Sequence, residues 1–396
     1  MYREFDKRPL YAYKFASQFM PIYAFYTILF IHRGLSLTEI YILIALWSGF
    51  AIIFGLPSGV LADRWNRRNM LVLSVLLQGL CFLVWSFSHN FLMFALGFAF
   101  WALAESFSSG TEEGLIYDNL KHDGNTYDFA NIYARAQLYA NIGGIFGIVS
   151  AGIIVGFVGV DILSLISAVI CLVAALLAMG IREVNLYSRQ AEQAKEAQPS
   201  FSQTAKTAFS FLRRSKVGTA SLLFLVLVIN LGNYLDEFDA LIINDFQLNL
   251  MWVSVILATR FVFVALGDIL APIVRKKVSS MAQVGFLCAI SLASLSSFSF
   301  IWNIYALPLF GLAFSIMTIS EIILMDMLQQ DIKEEGRSTI TSFYGMGQNV
   351  VMVFFSLAYA LLTGLFSLQH VYILISAYGL IGCLLFHIAS RKNHLD

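Results

Sequence analysis

"GLPSGVLADRWNRRNML", residues 55–71, sets four charged side chains, Asp63, Arg64, Arg67 and Arg68, directly behind a long apolar run. The rest of the chain is strongly apolar. Of its 396 residues 59% are hydrophobic and 13% are charged, and the mean hydropathy is +0.75. Ordinary soluble domains carry about 25% charged residues, and a soluble chain of this size has no interior large enough for so much apolar surface. The composition makes this an integral membrane protein, and the charged stretch a loop between two spans.

A membrane-crossing helix needs about 20 mostly apolar residues. Twelve are expected, at 9–32, 36–62, 68–88, 90–120, 128–158, 160–181, 217–245, 249–274, 278–299, 301–330, 337–365 and 368–389. Runs this long exclude a barrel, whose strands alternate over about 10 residues. The charged opening MYREFDKRPLYAYKF leads into a full span, so no cleavable signal peptide is expected. Lys and Arg set the orientation. With twelve spans both termini share one side, and among the 25 Lys and Arg residues only Arg33 falls on the other. Lys14, Arg135 and Arg260 lie within spans. Both termini are therefore expected in the cytoplasm, with the chain multi-pass in a cell membrane such as a bacterial inner membrane.

The chain also repeats. "EEGLIYDNLKHD" ends span 4 and "SEIILMDMLQQD" ends span 10, so that Glu113, Asp118, Leu120 and Asp123 fall on Glu321, Asp326, Leu328 and Asp331. In the next span Arg135 and Gly143 fall on Arg337 and Gly345. "GDILAPIVRKK" is a faded copy of the opening stretch, with Arg67-Arg68 matched to Lys276-Lys277. The one long polar segment lies between the copies. The expected domains are a six-helix bundle over 1–184, a cytoplasmic linker over 185–215 with an amphipathic segment at 201–214, and a second bundle over 216–396. Parallel six-helix repeats build one class of secondary transporter.

"GVLADRWNRR" (Gly59, Asp63, Arg64, Arg67, Arg68) resembles the G-x-x-x-D-R-x-G-R-R signature of the major facilitator superfamily, in its place between spans 2 and 3. Asn66 stands where glycine is usual, and Pro272 replaces the acid in the second copy. The resemblance implies an all-α membrane protein of twelve helices in two pseudo-symmetric halves, working by alternating access. It also implies that spans 1, 4, 7 and 10 line a central cavity. Span 5 holds Gly143, Gly144, Gly147, Gly152 and Gly156 and resembles the drug:proton antiporter branch, without its G-P step. On this analogy the charged loop, Asp63 above all, closes the cytoplasmic mouth. The pairs Glu113–Arg135 and Glu321–Arg337 are expected to latch it.

Ionisable groups inside a membrane are costly, and each is a functional candidate. "NLGNYLDEFDALIIND" in span 7 places Asp236, Glu237 and Asp239 together, and their mutual repulsion favours protonation of at least one. These acids are the expected proton-coupling groups, with Arg260 as counter-ion and Asn233 orienting Asp236 or Glu237. A purely structural Arg260–acid pair is the competing reading. Glu105 in span 4 is expected to face substrate, with Tyr23, Tyr26, Trp101 and Phe314 around it, since aromatic faces and a carboxylate suit a cationic amphiphile.

The function expected is proton-coupled secondary transport, with export of small amphiphilic compounds. Transport of a siderophore, metabolite or nutrient is the first alternative, Lys14 and Arg260 then holding an anionic group. A membrane enzyme or receptor is the other, and no nucleophile–base or metal constellation supports it. No catalytic residue, cofactor or metal is expected. Nor is a G-x-x-x-x-G-K-[ST] nucleotide site present. The four cysteines are scattered among spans 3, 6, 9 and 12, against a disulfide or cluster. The expected partners are substrate, protons and lipid bilayer, with no nucleic acid, and a monomer is expected.

Overall fold

Lipid offers no hydrogen bonds, so a spanning chain must satisfy its backbone internally, and long apolar segments do so as helices. The computed structural model describes residues 5–64, 66–109, 111–184, 216–330 and 337–392, without the side chains of 56–64, 130, 216–218, 329–330, 337–343 and 391–392. Among these residues twelve helices are long and apolar enough to cross a membrane. They are α1 (Arg8–His32), α2 (Leu37–Arg64), α3 (Arg67–Phe87), α4 (Phe91–His122), α5 (Phe129–Val158) and α6 (Ile162–Met179). Then come α7 (in pieces between Lys216 and Asp245), α8 (Leu250–Arg275), α9 (Met281–Ile301), α10 (Leu307–Gln330), α11 (Arg337–Thr363) and α12 (Leu368–Lys392). The expected tenth span began too early, because Ile304–Ala306 is a separate 3₁₀ turn. The linker and its amphipathic segment lie outside the described residues.

Three helices expected to be continuous are broken. In α1, Pro21 has no N–H to give, and Met20 before it is extended (φ −120°, ψ 91°), so the helix stops at Gln18 and resumes through a 3₁₀ turn at Pro21–Ala24. In α7 a π turn (Leu225–Ile229) joins Lys216–Phe224 to Leu231–Asp236, and a second break precedes Asp239–Asp245. The third break divides α4 into Phe91–Ser108 and Thr111–His122.

The chain divides into two compact units, Met1–Ala197 with Asn249–Val255, and Gln198–Leu248 with Ile256–Asp396. In the first, α5 packs closely on the break in α1. A Cβ on Gly143 would stand 2.2 Å from the Phe15 carbonyl oxygen, and one on Gly147 would stand 2.9 Å from the Met20 nitrogen. Small residues permit such backbone approach between membrane helices. Serine hydroxyls also bridge helices. Ser74 on α3 donates to the Ala104 carbonyl of α4 (2.7 Å), and in the second unit Ser291 on α9 donates to Ala313 of α10 (2.6 Å).

The cysteines are free and buried. Sequence separation hid a pairing in space: Cys288 of α9 lies near Cys383 of α12, and Cys81 of α3 lies near Cys171 of α6. Each unit thus holds one thiol pair between corresponding helices.

Candidate functional site

In the second unit, the break in α7 turns Asp236 and Asp239 toward Arg260 of α8. The Arg260 guanidinium hydrogen bonds Asp236, and its Nε stands 2.7 Å from Asp239 Oδ2, off hydrogen-bond alignment. Exposure is 7% for the Arg260 side chain, 1% for Asp239 and 25% for Asp236. No hydrogen-bond donor reaches either Asp239 oxygen among the described residues. Phe314 of α10, buried, lies 4.3 Å under the guanidinium and gives it a cation–π contact in place of water. Two carboxylates facing one guanidinium leave one excess negative charge beside the buried Asp239. A proton is the smallest species that removes it. Glu237, half-buried, stands at the break itself.

Asn233, expected to orient Asp236 or Glu237, donates its Nδ2 to Asn230 Oδ1 at 2.6 Å and lies beside the Glu321 carboxyl of α10. Three or four residues along an α-helix bring side chains to one face only if the helix is regular, and here α7 is interrupted on both sides of this turn.

The first unit holds a polar cavity of about 270 Å³ between α1, α3 and α4. Glu105 opens into it beside Gln18, Gln78, Ser108 and Glu113, and Lys14 and Glu112 form a 2.7 Å ion pair in its wall. The Trp47 indole approaches Glu105 without reaching hydrogen-bond geometry. Of the expected aromatic surround, Tyr26 is 3% exposed and stacks on Trp85 at 5.7 Å inside a ring cluster with Phe30 and Phe98. That ring belongs to the core, since burial of aromatic surface is worth more there than on a wet wall. Tyr23 and Trp101 are half-buried, 6.0 Å apart. Glu105 is therefore brought together with amides, hydroxyls and other charges, whereas Phe314 serves Arg260.

At the basic rim the side chains of Gly59, Asp63 and Arg64 lie outside the described residues, as does that of Arg337. Arg67 and Arg68 are described. Their backbone N–H groups donate to the Glu183 carboxylate (3.2 and 2.7 Å), which caps α3 together with Asn66, whose side chain accepts from the Asn69 N–H. Burial pushes the Glu183 carboxyl above the ordinary glutamate value, and these two N–H groups only partly oppose it. Arg67 Nε pairs with Asp118 of α4 at 3.1 Å, and Arg275 Nε of α8 pairs with Asp326 of α10 at 2.7 Å. Both partners shift by the same number of residues, so the ion pair is duplicated. The matching of Arg67 to Lys276 was one residue out of register. In addition, Arg182 joins Asp123 at 2.8 Å; burial alone would raise that carboxyl, but bonds from Arg182, His122 and the Phe5 N–H hold it below the ordinary aspartate value.

The expected Glu113–Arg135 pair is not formed. Glu113 accepts from the Tyr133 hydroxyl of α5 at 3.1 Å and Arg135 is exposed, while Glu321 accepts from the Tyr344 hydroxyl of α11 at 2.8 Å. A phenol donor on the following helix thus holds each acid, in place of Arg135 for Glu113, while the expected pairing of Glu321 with Arg337 falls outside the described residues. Sequence reading also missed Asp118, Asp326 and Glu183 as rim partners, although the repeat had already marked the first two.

Gly114 keeps the rim pair possible. A Cβ there would overlap the Arg67 guanidinium, 1.1 Å from Nη1. Gly114→Ala is expected to push Arg67 off Asp118 and to lower stability by about 1–3 kcal/mol, as the buried Asp118 carboxylate loses its paired charge. Asp118→Asn in the Gly114→Ala background should then add little further loss. Thermal unfolding of the four variants of this cycle checks it, and full additivity would place Gly114 outside the pair.

A sequence model of the Major Facilitator Superfamily matches residues 10–356. No curated protein matches the chain by sequence. Solved structures match its fold. A point mutant of the nucleoside transporter NupG superposes with a TM-score of 0.80 at 13% identity, covering 97% of this chain and 99% of that one. The POT family transporter PepTSo gives 0.71 at 12%, covering 98% of each. A D-xylose–proton symporter gives 0.70 at 13%, covering 96% of this chain and 94% of the other. At such identities the likeness is one of fold.

Proposed function

The chain belongs to the major facilitator superfamily and is a multi-pass membrane transporter, and from that premise we propose proton-coupled secondary transport by alternating access. The observation that carries the proposal is the Asp236–Arg260–Asp239 cluster, whose one excess negative charge a proton neutralises. A carboxyl that gains and loses a proton inside a low-dielectric site switches a large local charge, which gives two states of different packing. The six-helix halves at 1–184 and 216–396, joined by 185–215, are the bodies that move. The basic loops put both termini in the cytoplasm of a cell membrane, and the transporter acts as a monomer.

Glycine-rich α5 and the Glu105 carboxylate support export of small amphiphilic cations in the manner of the drug:proton antiporter branch. A second reading has its own support. The wall around Glu105 offers amides, hydroxyls and an ion pair rather than aromatic faces, which suits a polar solute with several hydrogen-bond donors.

The experiment uses proteoliposomes with a pH-sensitive dye inside. Lipophilic ammonium compounds and polar amines, added separately, are expected to move protons with one class, and Asp239→Asn should abolish that movement. Glu105→Gln should weaken the charged compound more than a neutral one of its size. Proton movement unchanged in Asp236→Asn, Glu237→Gln and Asp239→Asn alike would end the coupling assignment.

A further inference from the structure

The first unit has a second cavity, of about 580 Å³, that shares no lining residue with the polar one. Two faces of α1 separate them. Tyr13, Lys14 and Ser17 line the polar cavity, whereas Tyr11, Ala12 and Phe15 line the second. Tyr139 of α5 with Ile170 and Val173 of α6 adds to that lining, and Ala12, with a single side-chain carbon, leaves the space open. Val173 is 47% exposed and Leu176, three residues on, 68%, so this edge of α6 faces the bilayer. The groove is apolar or aromatic throughout, except for Arg8, the first residue of α1.

Tyr11 and Tyr139 stack at 5.1 Å with their planes 10° apart. Such rings, apolar in body and polar at the tip, suit the level of lipid headgroups. Arg135 stands one turn before Tyr139 on α5 and lies near Tyr11, which puts a second cation at the same rim. Three basic residues meet two acids there. Lys7 pairs with Asp128 at 3.8 Å, and Arg8, its side chain 90% exposed, pairs with Asp6 at 3.0 Å. Exposed pairs of this kind hold their partners weakly. Arg135, also exposed, pairs with no acid among the described residues.

We propose that this groove binds an anionic phospholipid, with one acyl chain between α1, α5 and α6 and the phosphate between Arg135 and Arg8. A ligand that matches both the apolar lining and the basic rim carries an anionic head and an apolar tail. Basic pockets between membrane helices take anionic headgroups in this way. The seated chain braces the Arg8–Gln18 half of α1, ahead of its break, against α5 and α6. Arg135, expected on Glu113, takes its place at this rim instead. The site stands apart from solute and proton, and holds whether or not transport is proton-coupled.

The test uses the full chain purified in detergent, read by native mass spectrometry and thermal unfolding. Dioleoyl phosphatidylglycerol and dioleoyl phosphatidylcholine, which share their chains and differ in net charge, are the probes. The glycerol lipid is expected to stay bound through detergent washing and to raise the melting temperature, since it binds the folded state. The choline lipid should do neither. Arg135→Gln, at an exposed position that the fold tolerates, should weaken retention about fivefold, the effect of one basic residue at an anionic headgroup. Ala12→Phe fills the groove and should abolish retention. Glycerol 3-phosphate, a head without a tail, should neither stabilise the protein nor displace the lipid. Equal retention of both lipids, or retention unchanged in Arg135→Gln or in Ala12→Phe, overturns the site. Stabilisation by glycerol 3-phosphate alone would make it a phosphate site and overturn the lipid assignment. A lipid-free dimer that Ala12→Phe dissociates would give the groove to a second copy of the chain and overturn it as well.

Discussion

Arg260→Met is expected to lower the melting temperature of the purified protein more than any other single exchange in the second unit. It would leave Asp236 and Asp239 facing each other in a site where Asp239 has 1% exposure and no hydrogen-bond donor among the described residues. Breaking a buried pair by removing one partner costs about 3–5 kcal/mol, and here two acids lose the same partner. Asp239→Asn alone should cost far less, since Arg260 keeps Asp236. Asp236→Asn and Asp239→Asn placed together on Arg260→Met should recover most of the loss, because the remaining groups are neutral. Thermal unfolding in detergent reads all of these. An Arg260→Met variant that melts with wild type would mean that the acids are already protonated or wet and that the cluster holds no costly excess charge.

The sequence made the twelve helices legible because each apolar run had only one way to satisfy its backbone in lipid. Duplication was legible for a related reason, since charged residues are rare enough in such a chain that a matched pattern stands out. The breaks were harder. Pro21 marked one, but the π turn at Leu225–Ile229 lies in an unbroken apolar run, where composition says nothing about hydrogen-bond register. Register also decided the rim. A one-residue shift turns an α-helical side chain by about 100°, so Arg275 reaches Asp326 where Lys276 had been matched. Polar partners without charge were invisible. Tyr133 and Tyr344 carry no charge to mark them in an apolar span, and only the fold shows their hydroxyls on Glu113 and Glu321. Conversely Tyr26 and Phe314 looked like a substrate surround and are packed into the units.

Lys14→Met is expected to have the largest effect in the first unit. Lys14 donates to Glu112 Oε2 at 2.7 Å with side-chain exposures of 9% and 12%, and Glu112 Oε1 has no hydrogen-bond donor among the described residues. Without the ammonium, the cavity wall holds Glu105, Glu112 and Glu113 and no cation among the described residues. The loss should be about 3–5 kcal/mol. Glu112→Gln should be milder, because a lysine side chain is long enough to swing its charge toward Glu105 or water. The double variant Lys14→Met with Glu112→Gln removes both charges and should restore most of the melting temperature. It also separates two roles for Lys14. If the ammonium only neutralises Glu112, the double variant transports nearly as well as wild type once the fold is recovered. If the ammonium receives an anionic group of the solute, stability returns and transport does not. Loss of transport confined to anionic or zwitterionic solutes would then move the assignment from cation export to the polar-solute reading, with Glu105 and Lys14 as opposite poles of one binding wall.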